Sequence, residues 1–213
     1  MFIIQRCKRE EYIKAWNYMY KHNKEGFNSE LYDGVNPSLN KKPLGTETDN
    51  FCVVAYDSNI DCSSEGFNLG YPVGIFSFVV TPAKIIGKQY VVDNRYGRKG
   101  IGRALLLECE KCLIENGFDW YYIGCSHCSA GIYKKYLGIE PYSSDEEHDM
   151  FKFNVRLDRE SFNKQYNDSV VNNPIFKVVD LEGNIIIDFE NANKNTENKI
   201  KTNKKKKNKK KKR

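Results

Sequence analysis

The sequence predicts an α/β protein in which strands and helices alternate along one main domain. The chain has 213 residues, of which 40% are hydrophobic, so it is long enough to bury a core. Apolar residues recur at helical spacing in some stretches and in short β-branched or aromatic runs in others. Near the middle of the chain, a strand, a glycine-rich turn and a helix follow one another within residues 89–116.

The N-terminal part predicts a strand, a helix and a polar connection. Residues 2–6 are mostly apolar or extended formers and predict the first strand. Residues 9–20 predict a helix, because large apolar side chains recur there at i, i+4 and i+7. The side chains in this pattern are Tyr12, Trp16 and Met19. Residues 21–50 are polar and rich in Asn, Gly and Pro, which is typical of a long connection.

The middle of the chain predicts an antiparallel hairpin and then the elements of the central motif. Residues 51–56 and 73–80 predict the two strands of the hairpin, and turn-forming residues at 63–66 lie in the connection. Further elements are expected, in chain order, as a strand ending at 92, a helix over 101–116, a strand over 120–124, a short helix over 129–136 and a strand over 150–157.

The C-terminal part predicts a β-hairpin and then a disordered tail. Apolar runs at 176–180 and 184–188 flank a turn that contains Gly183. Residues 191–213 have almost no apolar side chains and predict disorder. They contain twelve Lys and Arg against one acid, so they carry +11, and the remainder carries −5 of the total of +6. Such a tail is typical of a low-complexity end, of a nuclear-localisation signal, or of a tether to nucleic acid or anionic lipid.

The location of the protein is predicted from the segments that the sequence lacks. No run approaches the roughly 18 apolar residues of a membrane span, and the N-terminus lacks the apolar stretch of a signal peptide. We therefore expect an intracellular protein, in the cytoplasm or, through the basic tail, in the nucleus. Its seven cysteines would then be mostly reduced.

Two Cys-x-x-Cys pairs raise the question of a zinc site. The pairs are Cys109 with Cys112 and Cys125 with Cys128, and His127 lies inside the second pair. The first pair falls on the apolar face of the predicted helix over 101–116, where a free cysteine packs as a small hydrophobic residue. We therefore interpret it as part of the core and expect no metal.

The central motif predicts an anion-binding site. Three glycines lie within six residues between the strand and the helix, namely Gly97, Gly100 and Gly102. A turn of this kind aims the unpaired N–H groups of the helix start outward, where they and the positive helix end favour a phosphate. Arg98, Lys99 and Arg103 add positive charge. The order of the glycines and the residues after them exclude a P-loop and a dinucleotide fingerprint.

This stretch resembles motif A of the GNAT acyltransferase superfamily, whose pattern is Gln/Arg-x-x-Gly-x-Gly/Ala between a strand and a helix. Gly97 stands where the family prefers Gln or Arg, and an Arg follows it directly. About 30 residues further on, residues 130–139 resemble motif B, Ala-x-x-x-Tyr-Glu-Lys-Leu-Gly-Phe, with one residue extra between Tyr133 and Gly138. The resemblance covers residues 51–155 well and the N-terminal part loosely.

The resemblance implies the GNAT fold, a central mixed and mostly antiparallel twisted sheet flanked by helices, here with an extra C-terminal β-hairpin. Residues 1–160 would form the acyltransferase domain, 161–190 an extension with the hairpin, and 191–213 the disordered Lys-rich tail. Residues 21–50 would form part of the substrate groove.

The resemblance also implies acetyl-CoA as the acyl donor, lying in a V between two parallel strands that splay apart. Backbone groups of the first strand would bind the pantetheine arm and polarise the thioester carbonyl. The pyrophosphate would rest on the amides of residues 98–103, where a side chain at Gly100 or Gly102 would block the phosphates. The implied cofactor-binding residues are Val91, Val92, Asp93, Arg98, Lys99, Gly100, Ile101, Gly102, Arg103 and Ser126.

By the same resemblance, Tyr133 would donate a proton to the leaving thiolate, and Tyr136 is the alternative because the register is one residue longer. A packing role for Tyr133 also stays open. Two residues are candidates for the general base. Asp93 is the carboxylate of the first strand but could equally shape the turn, and His127 titrates in the useful range but could equally be an exposed loop residue.

The implied function is transfer of an acetyl group from acetyl-CoA to a primary amine by direct attack. The acceptor would be a small-molecule or peptide amine. The alternative is a catalytically inactive GNAT-fold binding protein that acts through its basic tail on nucleic acid or another polyanion.

Overall fold

The structure is a computed structural model that describes residues 1–22, 49–81, 83–125, 131, 133–145 and 150–188. In this part of the chain, nine strands form a single sheet. They are β1 (Phe2–Cys7), β2 (Asp49–Asp57), β3 (Tyr71–Val80), β4 (Ile85–Val92), β5 (Trp120–Cys125), β6 (Ser143–Asp145), β7 (Met150–Arg156), β8 (Phe176–Val179) and β9 (Ile185–Asp188).

The described helices lie on the two faces of this sheet. They are α1 (Arg9–His22), α2 (Ile101–Glu115) and α3 (Arg159–Tyr166). Two π-helical turns accompany them, one over Tyr133–Leu137 and one over Asn167–Val171. None of the described helices is long and apolar enough to cross a membrane.

The sheet is mixed and mostly antiparallel, in the order β6-β7-β5-β4-β3-β2-β1-β8-β9. Two neighbouring pairs are parallel, β4 with β5 and β1 with β8, and the other neighbours are antiparallel. The predicted fold class is therefore confirmed, including the C-terminal hairpin, which is β8–β9. The structure places this hairpin beside β1, a position that its sequence did not indicate.

Two apolar layers bury the faces of the sheet. On one face, α1 packs against β2 and β3 through the residues at helical spacing, which are Tyr12, Trp16 and Met19. On the other face, α2 packs against β1, β2 and β3, and α3 covers α2 from outside. Cys109 and Cys112 are buried on α2, as the apolar face predicted.

The sequence did not predict two described elements. Strand β6 has only three residues. Helix α3 begins after Asp158, whose side chain accepts a hydrogen bond of 2.8 Å from the Ser161 N–H, an ordinary N-cap. Three predicted parts lie partly or wholly outside the described residues. They are most of the polar segment 21–50, the start of the short helix predicted over 129–136, and the whole tail 191–213.

Candidate active site

The candidate site is an opening between the parallel strands β4 and β5. Their described ladder consists of two residue pairs, Ile86 with Tyr122 and Gly87 with Ile123. Beyond these pairs β4 continues to Val92 and β5 to Cys125 without pairing to each other. The two strands therefore part towards their carboxyl ends, as the sequence comparison with the GNAT pattern implied.

A bulge in β4 accounts for this opening. In the pairing of β3 with β4, Ile75 is opposite Val91 and Ser77 is opposite Lys88. One residue of β3, Phe76, therefore faces two residues of β4, Gln89 and Tyr90. An extra residue bends the strand that carries it and interrupts pairing. The bulged residues, Gln89 and Tyr90, follow shortly after Gly87, the last described residue of β4 that pairs with β5, so the bulge lies where the opening begins.

At the end of β4, Asp93 shapes the turn. Its buried carboxylate accepts a hydrogen bond of 3.0 Å from the Arg95 N–H and forms an ion pair of 2.6 Å with the Arg95 guanidinium. Its own N–H donates to the carbonyl of Val73 at 2.9 Å. These contacts match the turn-shaping role that the sequence analysis left open for Asp93.

The glycine-rich loop has one unusual backbone position. Gly97 has φ −56° and ψ 153°, a conformation that any residue adopts. Arg98 has φ 61°, and it is the only non-glycine residue with positive φ in the described part of the chain. The residue that tolerates this conformation at no cost is glycine. The loop therefore carries an arginine where the backbone favours glycine, and a glycine where the backbone angles do not require one.

The first residues of α2 have backbone N–H groups that make no hydrogen bond within the helix. Gly100 is the N-cap with φ 78° and gives no side-chain cap. The first helical hydrogen bond runs from the Ala104 N–H to the Gly100 carbonyl, so the N–H groups of Ile101 and Gly102 precede the hydrogen-bonded ladder. This is the geometry of an anion site at a helix start.

The absence of a side chain at Gly102 is required by packing. A Cβ atom there would lie 2.5 Å from the hydroxyl oxygen of Tyr90, which comes from β4. At Gly100 a Cβ atom would be in ordinary contact with Phe176 at 3.8 Å, so the positive φ is what favours glycine. At both glycines, the added Cβ atom would point towards residues of the protein itself. Steric blocking of a phosphate, the reason that the sequence suggested for these glycines, stays a prediction.

The three basic residues of the loop differ in their contacts. Arg98 is exposed. The Lys99 ammonium lies 4.8 Å from the centre of the Tyr96 ring and 5.7 Å from that of Phe2. Arg103 is half-buried and donates to the Gln165 side chain at 3.4 Å. The loop thus presents positive charge on its outer side, and the C-terminal extension contacts it through α3.

The two valines of β4 that were predicted to bind the cofactor lie on opposite faces of the sheet. Val91 is buried on the α1 face, and Val92 is half-buried on the α2 face. Both precede the loop, so their backbone groups line the strand from the bulge to Asp93. Ser126 and His127, which follow β5, lie outside the described residues, and so does the side chain of Tyr136.

Tyr133 lies in the π-helical turn after β5 and is fully buried. Its ring stacks on Phe153 of β7, with 5.2 Å between the ring centres. Its hydroxyl is buried and has no hydrogen-bond partner among the described residues. Burial raises the pKa of Tyr133 well above its ordinary value, and the neighbouring Tyr90 and Cys125 add to this rise. At neutral pH the phenol is therefore protonated, and the raised pKa makes it a weaker acid than an exposed tyrosine.

Two further polar residues are buried beside Tyr133, and the sequence analysis did not identify either. Glu110 of α2 is 1% exposed, and it accepts a hydrogen bond of 2.6 Å from the hydroxyl of Tyr121 in β5. Burial raises the pKa of Glu110 to about 7, although the hydrogen bond from Tyr121 by itself lowers that pKa. Residues 104–113 contain three charged residues, Glu108, Glu110 and Lys111, so the sequence carried no signal that singles out Glu110.

Comparison with known proteins gives a match for the fold. No protein-family model matches the sequence, and no curated protein matches it. Among solved structures, an IAA acetyltransferase from Bacillus cereus is 15% identical, with a TM-score of 0.50, over 74% of this chain and 100% of that one. A GNAT-family protein from Desulfovibrio desulfuricans is 14% identical, with a TM-score of 0.50, over 73% of this chain and 99% of that one.

A third similar structure is that of a CoA-dependent acyl-homoserine lactone synthase, solved with SAM and isopentyl-CoA. It is 9% identical, with a TM-score of 0.50, over 79% of this chain and 89% of that one. The likeness to these structures shows that the chain has the GNAT fold.

Proposed function

We propose that this protein transfers an acyl group from an acyl-coenzyme A to an amine. The observation that carries the proposal is the opening between β4 and β5, which leads to the glycine-rich loop and the start of α2. On this fold, the combination of a split strand pair and a phosphate-favouring loop suits an elongated donor with a pyrophosphate at one end.

The proposed contacts with the donor follow the order of the chain. The pantetheine arm would lie along the backbone of β4 near Val91 and Val92. The pyrophosphate would meet the amides of residues 98–103, with Arg98, Lys99 and Arg103 supplying positive charge. A backbone N–H at the bulge would face the thioester carbonyl and stabilise negative charge on its oxygen.

The finer proposal is an acetyl group and a primary amine acceptor. The amine would attack the thioester carbon directly, and the enzyme would hold both reactants in the opening. Tyr133 would give its proton to the departing thiolate, since its buried phenol is protonated at neutral pH. The base stays undefined. Of the two candidates, Asp93 is bound by Arg95, and His127 lies outside the described residues.

The test is release of free thiol from acetyl-CoA in the presence of a panel of amines. The panel includes polyamines, aminoglycosides, amino acids and peptides with a free N-terminus or lysine. We expect at least one amine to raise thiol release above the rate without acceptor. No release with any amine would contradict the proposal.

The role of Tyr133 is tested by Tyr133→Phe with Tyr142→Phe as the matched control, since Tyr142 is 62% exposed. We expect Tyr133→Phe to lower kcat by about 100-fold, the lower end of the usual range for a general acid. It should not lower stability, because the deleted hydroxyl has no partner among the described residues. A Tyr133→Phe protein as fast as the wild type would remove the acid role and leave the fold assignment intact.

A further inference from the structure

Strand β5 and the residue before β6 present three aromatic rings on the side of the sheet that α1 covers elsewhere. On this side, α1 packs on β2 and β3. Tyr121 and Ile123 of β5 are buried on the opposite side, in the layer that includes α2. Because side chains alternate along a strand, Trp120 and Tyr122 point to the α1 side. Both are half-buried, and neither belongs to the two apolar layers of the described residues.

The three rings are those of Trp120, Tyr122 and Tyr142, and we call them the aromatic row. Trp120 and Tyr122 meet almost at right angles, with 5.2 Å between ring centres, and Tyr122 meets Tyr142 in the same way at 6.4 Å. Tyr142 is 62% exposed. Rings in edge-to-face contact do not cover one another's faces as stacked rings do. The aromatic row therefore offers ring faces to a planar group from solvent.

A groove of about 610 Å³ runs along the aromatic row. It is lined by polar and apolar residues, namely Ala83, Lys84, Ile86, Tyr122, Tyr142 and Asn154. Its volume lies in the range of roughly 300–1,000 Å³ that is usual for ligand pockets. The groove lies at the first residue pair of β4 with β5, whereas the opening begins beyond the second pair. It is thus a separate feature from the candidate active site.

The surroundings of the aromatic row are positively charged. Lys84 lines the groove. Lys152 and Arg156 of β7 point to the same side as Asn154, because they lie two residues before and two residues after it. All three cationic residues are exposed. The described positions of β5 and β7 that face this side include no acid, since they are Trp120, Tyr122, Gly124, Lys152, Asn154 and Arg156. The face therefore suits a ligand with negative charge.

We propose that this face binds single-stranded nucleic acid, with bases stacked on the aromatic row and phosphates near Lys84, Lys152 and Arg156. Aromatic side chains beside a positively charged groove are the combination by which proteins bind single strands without reading their sequence. A single strand exposes the faces of its bases, whereas a duplex stacks them inside. The aromatic row therefore favours the single strand, while cations alone bind any polyphosphate.

The charges favour a polyanion over a second copy of this chain. A symmetric contact between two copies through this face would bring the same basic patch against itself, and like charges across an interface are unfavourable. Residues 191–213, which carry +11, would attract the same polymer. The inference does not rest on the proposed function, because binding of nucleic acid involves no acyl-CoA.

The first test follows the tryptophan fluorescence of the full-length protein, which has two tryptophans. Trp16 is fully buried, so quenching by a stacked base reports on Trp120. The probe is a mixed-sequence RNA of about 12 nucleotides, used as a single strand or annealed to its complement. We expect the single strand to quench the fluorescence and the duplex to leave it unchanged. The quenching should be lost in Trp120→Phe.

The second test separates stacking from charge. We expect Tyr122→Ala to shift the midpoint of the quenching titration at least about fivefold to higher RNA concentration, because one stacking contact is lost. Lys152→Gln should make the dependence of log affinity on log salt shallower by about 0.7, the value for one phosphate contact of a single strand. The matched control Lys164→Gln, at an exposed lysine of α3, should leave this slope unchanged. Tyr142→Phe keeps its ring and should bind like the wild type.

Three results would overturn the proposal. If the single strand does not quench, the aromatic row is not the binding surface, whether the tail alone binds RNA or a second copy covers the face. If the duplex quenches equally, bases do not stack on Trp120. If Lys152→Gln and Lys164→Gln change the salt dependence equally, the charge of this face is not specific. None of these measurements contains acyl-CoA, so a failure of acyl transfer would leave the inference standing.

Discussion

Arg98 carries the least favourable backbone conformation among the described non-glycine residues. Its φ of 61° costs an L-residue about 1–2 kcal/mol relative to the right-handed region. Gly97, directly before it, has an ordinary backbone conformation, although a Cβ atom there would lie 3.2 Å from the Asn94 carbonyl oxygen, a tight contact. The motif-A comparison showed the same irregularity from the sequence side, as an Arg and a Gly in exchanged positions.

We expect the double substitution Gly97→Arg with Arg98→Gly to raise the free energy of unfolding by about 1 kcal/mol. The exchange keeps the composition constant, so the entropy of the unfolded chain does not change. The single change Arg98→Gly should gain less, because glycine adds freedom to the unfolded state. Urea denaturation without ligand measures both. If neither the exchanged protein nor Arg98→Gly is more stable than the wild type, the left-handed arginine is not strained. If only the exchanged protein is less stable, the contact of the new Cβ atom at position 97 with the Asn94 carbonyl is responsible.

Glu110 provides a pH-dependent test of stability. Its pKa is raised above the ordinary value, so the folded state holds this proton more tightly than the unfolded state does. The resulting stabilisation is complete below about pH 4.5 and is lost as the pH rises through 7. The Glu110→Gln protein lacks this titration.

We therefore expect the unfolding free energy of Glu110→Gln, relative to the wild type, to rise by roughly 3 kcal/mol between pH 4.5 and pH 8. Urea denaturation of both proteins at the two pH values measures the change. Taking the difference in unfolding free energy between the two proteins at each pH removes the contribution of the other carboxyl groups. If that difference is the same at both pH values, the pKa of Glu110 is not raised.

The sequence predicted helix α2 itself but not the side of it that is buried against α3. The strand, glycine-rich turn and helix around it were predicted, because periodicity and glycine spacing are local signals. The second buried side of α2 was not predicted, because it depends on α3. That helix has only two buried residues, Phe162 and Tyr166, so its apolar pattern is too short to identify. The Asp158 N-cap was the one local sign of it.

The elements β1, α2 and α3 are joined by one polar network. Arg6 of β1 forms ion pairs of 2.6 Å with Glu108 and with Glu115 of α2. The hydroxyl of Tyr166 in α3 donates to the other oxygen of Glu108. Glu108 is fully buried, whereas Glu115 is 44% exposed. The inner ion pair thus holds a buried charge, and the outer one lies at the surface.

We expect Arg6→Met to lower the free energy of unfolding by about 3–5 kcal/mol, because it leaves the buried Glu108 carboxylate without its cation. The control Glu115→Gln removes the outer ion pair with Arg6 and the longer one, of 4.0 Å, with Lys111, and it should cost no more than about 1 kcal/mol because Glu115 is partly exposed. Adding Glu108→Met to Arg6→Met should recover most of the loss, since both charges are then gone. Urea denaturation measures all three. Equal costs for Arg6→Met and Glu115→Gln would contradict the role of the inner pair.

At the scale of the whole molecule, the C-terminal extension belongs to the same sheet as the rest. Strand β8 pairs in parallel with β1, from Phe2 opposite Phe176 to Gln5 opposite Val179. The hairpin itself was predictable from its turn and apolar runs, but its partner was not. Parallel pairing joins strands far apart in sequence, and no local pattern identifies which edge a strand will join. The same limit applies to the hydrogen bond between Glu110 of α2 and Tyr121 of β5, which joins two separate elements.

Charge is also distributed unevenly over the whole chain, and this affects how the function must be measured. Residues 191–213 carry +11 and the remainder −5. A Lys-rich segment attracts any polyphosphate in a salt-dependent way, so binding of a CoA compound could come from the tail alone. A binding measurement must therefore be made with the full chain and with a chain that ends at residue 190.

Isothermal titration of acetyl-CoA and free CoA into both chains at physiological salt tests the acyl-CoA site directly. We expect one site in the micromolar range, equal in the two chains and shared by both ligands, because the loop and the start of α2 would hold the common pyrophosphate. Binding that disappears when the tail is removed, or no binding to either ligand, would contradict an acyl-CoA site between β4 and β5.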